Sequence, residues 1–94
     1  MSTYTQILYQ IVFSTKYRKP TLNKAIRSDL FAYISGILQQ KGCRVYQVGG
    51  VADHIHIITH LHPSTALADL VKAIKLASGQ WLRAHPGCPS FTSW

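Results

Sequence analysis

Four of the five histidines in this chain of 94 residues lie in one segment, DHIHIITHLH, which runs from Asp53 to His62. Its alternation of polar and branched apolar residues predicts a strand with one polar face and one buried face. The polar face would carry His54, His56 and His60, and the buried face Ile55, Ile57 and Leu61. Two imidazoles two residues apart on one face can bind a single cation through their neutral nitrogens, and an acidic neighbour could orient one of them. His54 and His56 are therefore a candidate metal pair; the alternative is that they are polar residues on the solvent-facing side of a half-open sheet.

The charge of the chain points to a polyanionic partner. Ten Lys and Arg residues are opposed by only three acidic residues, Asp29, Asp53 and Asp69, and the formal net charge is +7. A basic domain attracts phosphates over about a Debye length, ~10 Å at moderate salt, so nucleic acid is the leading partner and an anionic membrane surface the second. A basic surface without any polyanionic partner is the alternative.

Two basic segments are candidate surfaces for contact with nucleic acid. In the segment Lys16-Tyr17-Arg18-Lys19, positive charges alternate with an aromatic ring on which a base could stack. Lys72 and Lys75 lie three residues apart on one face of a predicted helix, where they could contact phosphates. A charged face that contacts only solvent is the alternative for both segments.

The elements that would position these residues follow from the hydrophobic pattern. A run of β-forming residues predicts a first strand from Gln6 to Ser14, and a helix from about Leu22 to Gln40 is expected after the basic turn. The apolar face of this helix is formed by Ile26, Leu30, Ile34, Ile37 and Leu38. Gly42 is expected to end the helix in a left-handed conformation.

The second half of the chain predicts a hairpin and another helix. The strands, Cys43 to about Val51 and His54 to about Leu61, are joined by too short a connection for a parallel crossover. Gly49-Gly50 is either the two-residue turn or a bulge before a turn at Ala52-Asp53, and we favour the bulge. A helix from about Thr65 to Arg83 follows, with Pro63-Ser64-Thr65 as its start signal. Its apolar stripe comprises Leu67, Leu70, Val71, Ile74, Ala77 and Trp81.

The order of elements predicts an α+β fold. Strand, helix, strand, strand, helix is the ferredoxin-like pattern without its final strand, and Phe91 and Trp94 suggest that this strand is cut short. We expect one domain over residues 1–94, with an antiparallel sheet and helices on one face. No apolar run approaches the ~20 residues of a membrane span and the start lacks signal-peptide features, which predicts a cytoplasmic protein without a membrane segment. Cys43 and Cys88 are too far apart for a paired-cysteine motif and are expected to be ordinary thiols.

The histidine strand and its surroundings resemble a known family. The pattern Asp-His-hydrophobic-His-hydrophobic-hydrophobic, on the second strand of a hairpin and followed by a basic amphipathic helix, resembles the HUH single-tyrosine transposases of small bacterial insertion sequences and their REP-associated relatives. The resemblance covers nearly the whole chain, including Phe13-Ser14-Thr15-Lys16-Tyr17-Arg18, the His54/His56 pair, and the helix with Leu70, Lys72, Lys75 and Trp81. It implies a DNA transposase that binds single-stranded or hairpin DNA as a homodimer. It further implies that His54 and His56 hold a divalent Mg²⁺ or Mn²⁺ ion, which polarises the scissile phosphate.

The resemblance also implies a nucleophile that this chain lacks. In the family, a tyrosine on a later helix attacks the phosphorus and becomes joined to the 5′ end of the DNA. The five tyrosines here are Tyr4, Tyr9, Tyr17, Tyr33 and Tyr46, all of which precede the histidine pair. We therefore expect that the final strand and the tyrosine helix are missing and that the chain is inactive alone. Tyr33, the only tyrosine in a predicted helix, is expected to pack against its neighbours.

Other functions remain open at this point. The chain could be a non-catalytic DNA-binding remnant, or a regulator that pairs with a full-length transposase. A ferredoxin-like domain that senses or stores a transition metal is a further alternative, although the charge of the chain speaks against it. His60 and His62 could be supplementary ligands, but we favour strand-end residues that face water.

Overall fold

The computed structural model describes residues 7–94, so Gln6, where the first strand was expected to begin, lies outside the described residues. Strand β1 spans Leu8–Ser14, helix α1 Lys24–Gln40, strand β2 Arg44–Gly50, strand β3 His54–His60 and helix α2 Leu67–Ala84. The predicted order β-α-β-β-α is confirmed. No helix in this part of the chain is long and apolar enough to cross a membrane.

The histidine strand is the centre of the sheet. The strand order is β1-β3-β2, and both neighbours pair with β3 in antiparallel fashion. Across the β1–β3 pair, Ile11 lies opposite Ile57 and Val12 opposite His56. The backbone of the histidine strand is thus held from both sides, which fixes the spacing of its side chains.

The two faces of the sheet differ as the alternation predicted. Ile55 and Ile57 are fully buried, whereas the histidines between and beside them are only partly buried. The buried face joins one core with the apolar residues of both helices, so the helices cover one face and the other is open. Val12, which lies opposite His56, is 56% exposed and marks the open face.

The hairpin turn lies at Ala52-Asp53, as the sequence interpretation favoured, but the bulge lies elsewhere in β2. The backbone N–H of Val51 donates to the carbonyl of His54 at 3.0 Å, which closes the turn around Ala52-Asp53. Gly49 and Gly50 pair regularly with β3, so the expectation of a bulge at these glycines was wrong. The register instead shifts between Val45 and Gln47, which makes Tyr46 the extra residue.

The helices obey the predicted periodicity with local differences. Helix α1 buries Ile26, Leu30, Ile34 and Leu38, and Gly42 beyond its end has φ of 76°, as expected for a left-handed terminus. Helix α2 is rotated relative to the predicted stripe, because Ser78 and Leu82 are buried in place of Ala77 and Trp81. Gly79 beside them is buried as well.

The start of α2 differs from the sequence interpretation. The helix begins at Leu67, and its N-cap residue Ala66 makes no side-chain capping bond. Ser64 instead bonds to His62, whose Nδ1 accepts the backbone N–H of Ser64 at 3.1 Å. Because Thr65 N–H also donates to the His62 carbonyl, Pro63-Ser64-Thr65 forms a turn stabilised by His62 rather than a helix cap.

The segment after α2 packs on the core but forms no strand within the residues that the structure describes. Phe91 is buried, and the Trp94 ring contacts the rings of Phe13 and Phe91 edge-on, with centroids 4.8 and 5.0 Å away. Trp94 Nε1 donates to Ser78 Oγ at 3.1 Å. The two aromatics therefore close the core beside β1 and α2, which explains their apolar character without strand pairing.

Candidate metal and nucleic-acid site

His54 is oriented by the residue that precedes it. Asp53 Oδ1 lies 2.8 Å from His54 Nδ1. Since an ionised carboxylate only accepts hydrogen bonds, Nδ1 carries the proton and Nε2 is left available as a ligand. The hydrogen bond from His54 holds the pKa of Asp53 below its ordinary value; desolvation opposes this lowering, and the Arg18 guanidinium adds to it. A carboxylate that orients an imidazole in this way is the usual companion of a metal-binding histidine.

The ring of His56 occupies space that is free because the neighbouring strand has a glycine at this position. Gly49 lies directly opposite His56 across the β2–β3 pair. A Cβ atom at position 49 would lie 2.8 Å from His56 Nε2 and 3.0 Å from Cε1, so any other residue there would displace the ring. Sequence reasoning assigned Gly49 to a turn or bulge and missed this role. The available signal was a glycine within a strand, which often marks a close approach.

The basic segment Lys16–Lys19 lies beside Asp53, the residue that orients His54. Thr15, which is buried, connects the two: its N–H donates to the Asp53 carbonyl at 2.9 Å, and its hydroxyl donates to the Lys19 carbonyl at 2.6 Å. Arg18 Nε also lies 3.6 Å from Asp53 Oδ2. The structure thus brings together the two features that the sequence offered separately, the charged aromatic segment and the Asp53-His54 pair.

The aromatic ring of this segment is held out into solvent. Tyr17 is 81% exposed, and Tyr17 and Arg18 both have left-handed backbone conformations, with φ of 58° and 55°. Such conformations cost about 1–2 kcal/mol per non-glycine residue, and they persist only where surrounding bonds fix them. Here the bonds of Thr15 and one from the Lys16 N–H to the Ser93 carbonyl, 3.0 Å long, fix both ends of the segment.

Lys72 and Lys75 lie away from the histidine pair. The Lys75 ammonium is 5.7 Å from the centroid of the Phe13 ring, which belongs to the buried face of the sheet. Together with Leu67 and Val71, these lysines line a shallow groove of about 590 Å³ along α2. The histidines occupy the opposite face, so the structure separates the two basic surfaces that the sequence suggested.

The remaining candidate residues form local hydrogen bonds, stack on other rings or are buried. His60 shares the face of the histidine pair, and its Nδ1 bonds to the Ile7 carbonyl at 2.9 Å. His62 lies in the turn before α2, as described above, and not in β3. Tyr33 stacks on Trp81 with centroids 5.6 Å apart, which confirms the expectation that it packs. Cys43 and Cys88 are free and buried, as expected for ordinary thiols.

The donor set fits a cation whose other ligands come from elsewhere. Within residues 7–94 no group of three or more His, Cys, Asp or Glu side chains is arranged to hold a metal ion. His54 and His56 could supply two imidazole nitrogens, whereas a closed zinc site would require about four protein ligands. The arrangement therefore suits an open site completed by water or by phosphate oxygens.

Comparison with known proteins identifies the family. The family model for IS200-like transposases matches residues 3–90, and the chain belongs to this family. The ISDra2 transposase TnpA of Deinococcus radiodurans is 31% identical over 75 residues, which cover 80% of this chain and 54% of that protein. A crystal structure of a protein from Deinococcus radiodurans R1, assigned as a transposase, superposes with a TM-score of 0.81 at 24% identity. That match covers 89% of this chain and 65% of the other, and it confirms the α+β fold.

The chain spans about half the length of the curated relative that it matches. Its 94 residues include the strand with His54 and His56 and the helix that follows, but none of its tyrosines comes after that strand. The family is thus established for these residues, whereas the activity of the longer relatives applies to this chain only as a proposal.

Proposed function

We propose that this chain is the DNA-binding and metal-binding part of a single-tyrosine transposase, which acts on single-stranded or hairpin DNA. Membership of the IS200-like family supports DNA transposition as the biological context. The observation that carries the proposal is the position of the segment Lys16–Lys19, tied through Thr15 to the turn that holds Asp53 and His54. A DNA strand bound by this segment would have a phosphate near the histidine pair.

Each residue of this site would have a distinct role in binding DNA or the metal ion. Lys16, Arg18 and Lys19 would contact phosphates, and a base would stack on the exposed ring of Tyr17. Asp53 would hold His54 in the tautomer that offers Nε2, and His56 would supply the second nitrogen. A Mg²⁺ or Mn²⁺ ion held there would supply Lewis-acid polarisation of the scissile phosphate. Lys72 and Lys75, on the other face, would contact DNA only where it continues around the edge of the sheet.

We expect these 94 residues to bind DNA without cleaving it. A 5′-phosphotyrosine intermediate requires a tyrosine hydroxyl at the histidine pair, whereas Tyr33 stacks on Trp81 among the helices. Tyr17 belongs to the segment Lys16–Lys19, but its ring is directed to solvent and the ammonium of Lys16 lies 5.4 Å from the ring centroid. DNA binding without a tyrosine after the histidine strand would equally suit a second candidate function, regulation by pairing with a full-length transposase.

The experiment is a set of anisotropy titrations on matched single-stranded, hairpin and duplex oligonucleotides over a series of salt concentrations. We expect tighter binding to the single-stranded and hairpin forms and a steep loss of affinity with salt. Lys19→Gln should reduce the salt slope by about one unit, the value for one phosphate contact. Lys41→Gln, at the far end of α1, removes the same charge outside the site and should change the slope little. Equal affinity for the three DNA forms would contradict the proposal.

Incubation with a labelled oligonucleotide and Mn²⁺, followed by denaturing electrophoresis, tests the absence of cleavage. A covalent protein–DNA adduct formed by this chain alone would contradict our expectation. Adding a full-length transposase separates the two functions, because a regulator would lower the rate of cleavage by its partner.

A further inference from the structure

We propose a second DNA contact on the open face of the sheet, where the ring of Tyr46 stacks with an unpaired base and Arg44 contacts the adjacent phosphate. This surface, the Tyr46 platform, comprises Arg44, Tyr46 and His60. The inference rests on the proposed binding of single-stranded DNA, and it extends that binding from the histidine pair to the opposite end of β3.

The bulge in β2 raises Tyr46 out of the regular pairing. Val45 pairs with Thr59 and Gln47 with Ile58, so Tyr46 has no residue opposite it. Bulges re-aim side chains and are frequent next to functional sites. Here the result is a tyrosine that is 51% exposed on the face that carries the histidines.

Three contacts hold the platform in place. The imidazole of His60 meets the Tyr46 ring nearly at right angles, at 79° and with centroids 5.0 Å apart. The guanidinium carbon of Arg44 is 5.6 Å from the centroid of the same ring. His60 is itself held by the bond between its Nδ1 and the Ile7 carbonyl. A fixed aromatic ring loses little conformational freedom when a base stacks on it.

The chemistry of the open face suits single-stranded DNA. None of the three strands contains an acidic residue, and the carboxylate of the hairpin turn, Asp53, is engaged by His54 and Arg18. The exposed apolar residues on this face, Leu8 and Val12, belong to the edge strand and offer contact to sugars and bases. Positive charge flanks both ends of the face, at Arg18 near the turn and Arg44 near His60. Aromatic rings combined with basic groups along one surface are typical of proteins that bind single-stranded nucleic acid.

The distance between the two contacts defines the expected register. His56 and His60 are four residues apart on a strand, which corresponds to about 13 Å at ~3.3 Å per residue. This distance spans about four nucleotides at the ~3.4 Å spacing of a stacked strand, and fewer if the strand is extended. The stacked base should therefore lie two to four nucleotides, as an order-of-magnitude estimate from that spacing, from the phosphate at the histidine pair.

The test combines variants of the protein with an abasic site moved stepwise along a bound oligonucleotide. Tyr46→Leu keeps an apolar side chain but removes the ring face, and Tyr46→Phe keeps the ring without its hydroxyl. Tyr33→Leu is the matched control, because Tyr33 is a partly exposed tyrosine on the helical side of the protein. Thermal melts of each variant, together with its circular dichroism spectrum, establish that it is folded.

For the wild type we expect one position at which an abasic site weakens binding about tenfold, within the range for loss of a stacked base. Tyr46→Leu should weaken binding to the intact oligonucleotide about tenfold and lose sensitivity at that one position. Tyr46→Phe and Tyr33→Leu should behave as the wild type.

Two results would overturn the proposal. If the wild type binds single-stranded DNA but Tyr46→Leu shows the same affinity and the same abasic profile, the platform is wrong and the proposed function stands. If the wild type binds no single-stranded DNA, both are wrong.

Discussion

Adjacent residues of β3 offer the sharpest test of the site. His56 and Ile57 lie on opposite faces of the sheet, so their substitutions should have opposite effects on metal binding and on stability. Ile57 is fully buried in the core and has no accessible surface, whereas His56 is partly exposed on the open face. Replacing Ile57 with Ala deletes buried methyl groups and leaves a cavity, at a cost of about 2–5 kcal/mol. Replacing His56 with Ala opens no core cavity and should cost about 0.5 kcal/mol, as for other substitutions outside the core.

These magnitudes are large enough to separate in a thermal melt. A domain of this size loses about 4–8 °C in melting temperature per kcal/mol, so Ile57→Ala should melt at least ~8 °C lower and His56→Ala only a few degrees lower. Metal binding should show the reverse order. The loss of one of two imidazoles should weaken Mn²⁺ binding by at least tenfold, since loss of an outer partner alone typically costs about 10–100-fold.

The assay is paramagnetic broadening of the histidine ring resonances by Mn²⁺ in the presence of an oligonucleotide, supported by calorimetry. His54→Ala should behave as His56→Ala, because both imidazoles belong to one site. Ile57→Ala, at a temperature where it is folded, should keep the response of the wild type. If both histidine variants retain the broadening of the wild type, the assignment of the pair is refuted.

Three further predictions concern the support of the site and the edge of the sheet. Gly49→Ala should displace the His56 ring and weaken Mn²⁺ binding, with a melting temperature close to that of the wild type; unchanged Mn²⁺ titration would contradict the role of Gly49. Asp53→Asn should weaken Mn²⁺ binding about 10–100-fold through loss of His54 orientation, and equal affinity in calorimetry would show that this orientation is unimportant. The outer edge of β1 has no strand partner among the described residues, so we expect self-association; a monomer of 10.5 kDa by light scattering at high concentration would exclude it.

The sequence alone determined the order of elements and the division of β3 into two faces. Both follow from local rules, because side chains alternate along a strand and recur every three to four residues along a helix. Ile55 and Ile57 therefore had to point away from His54 and His56, whatever the rest of the chain did. Gly42 could likewise be placed at a helix end from its own conformational freedom. The resemblance to the transposase family also depended on this strand, and the family model confirmed it.

Helix starts and bulges were less predictable, because competing local bonds decide them. Ser64 and Thr65 looked like helix-capping residues, but the ring and carbonyl of His62 bind their N–H groups in a turn. The two glycines of β2 looked like the bulge, yet the extra residue is Tyr46. Strand register depends on which side chains must face the core along the whole ladder, and a local motif does not report it.

Only the tertiary structure decided how the site is assembled. Thr15 and Asp53 are 38 positions apart in the chain, and their bonds bring the segment Lys16–Lys19 beside His54. The pairing of Gly49 with His56 gives the imidazole its space, and the course of α2 carries Lys72 and Lys75 to the other face. These are contacts between elements that are distant in sequence, and burial of a common core sets the relative positions of those elements. Residue types and local spacing therefore do not predict these contacts.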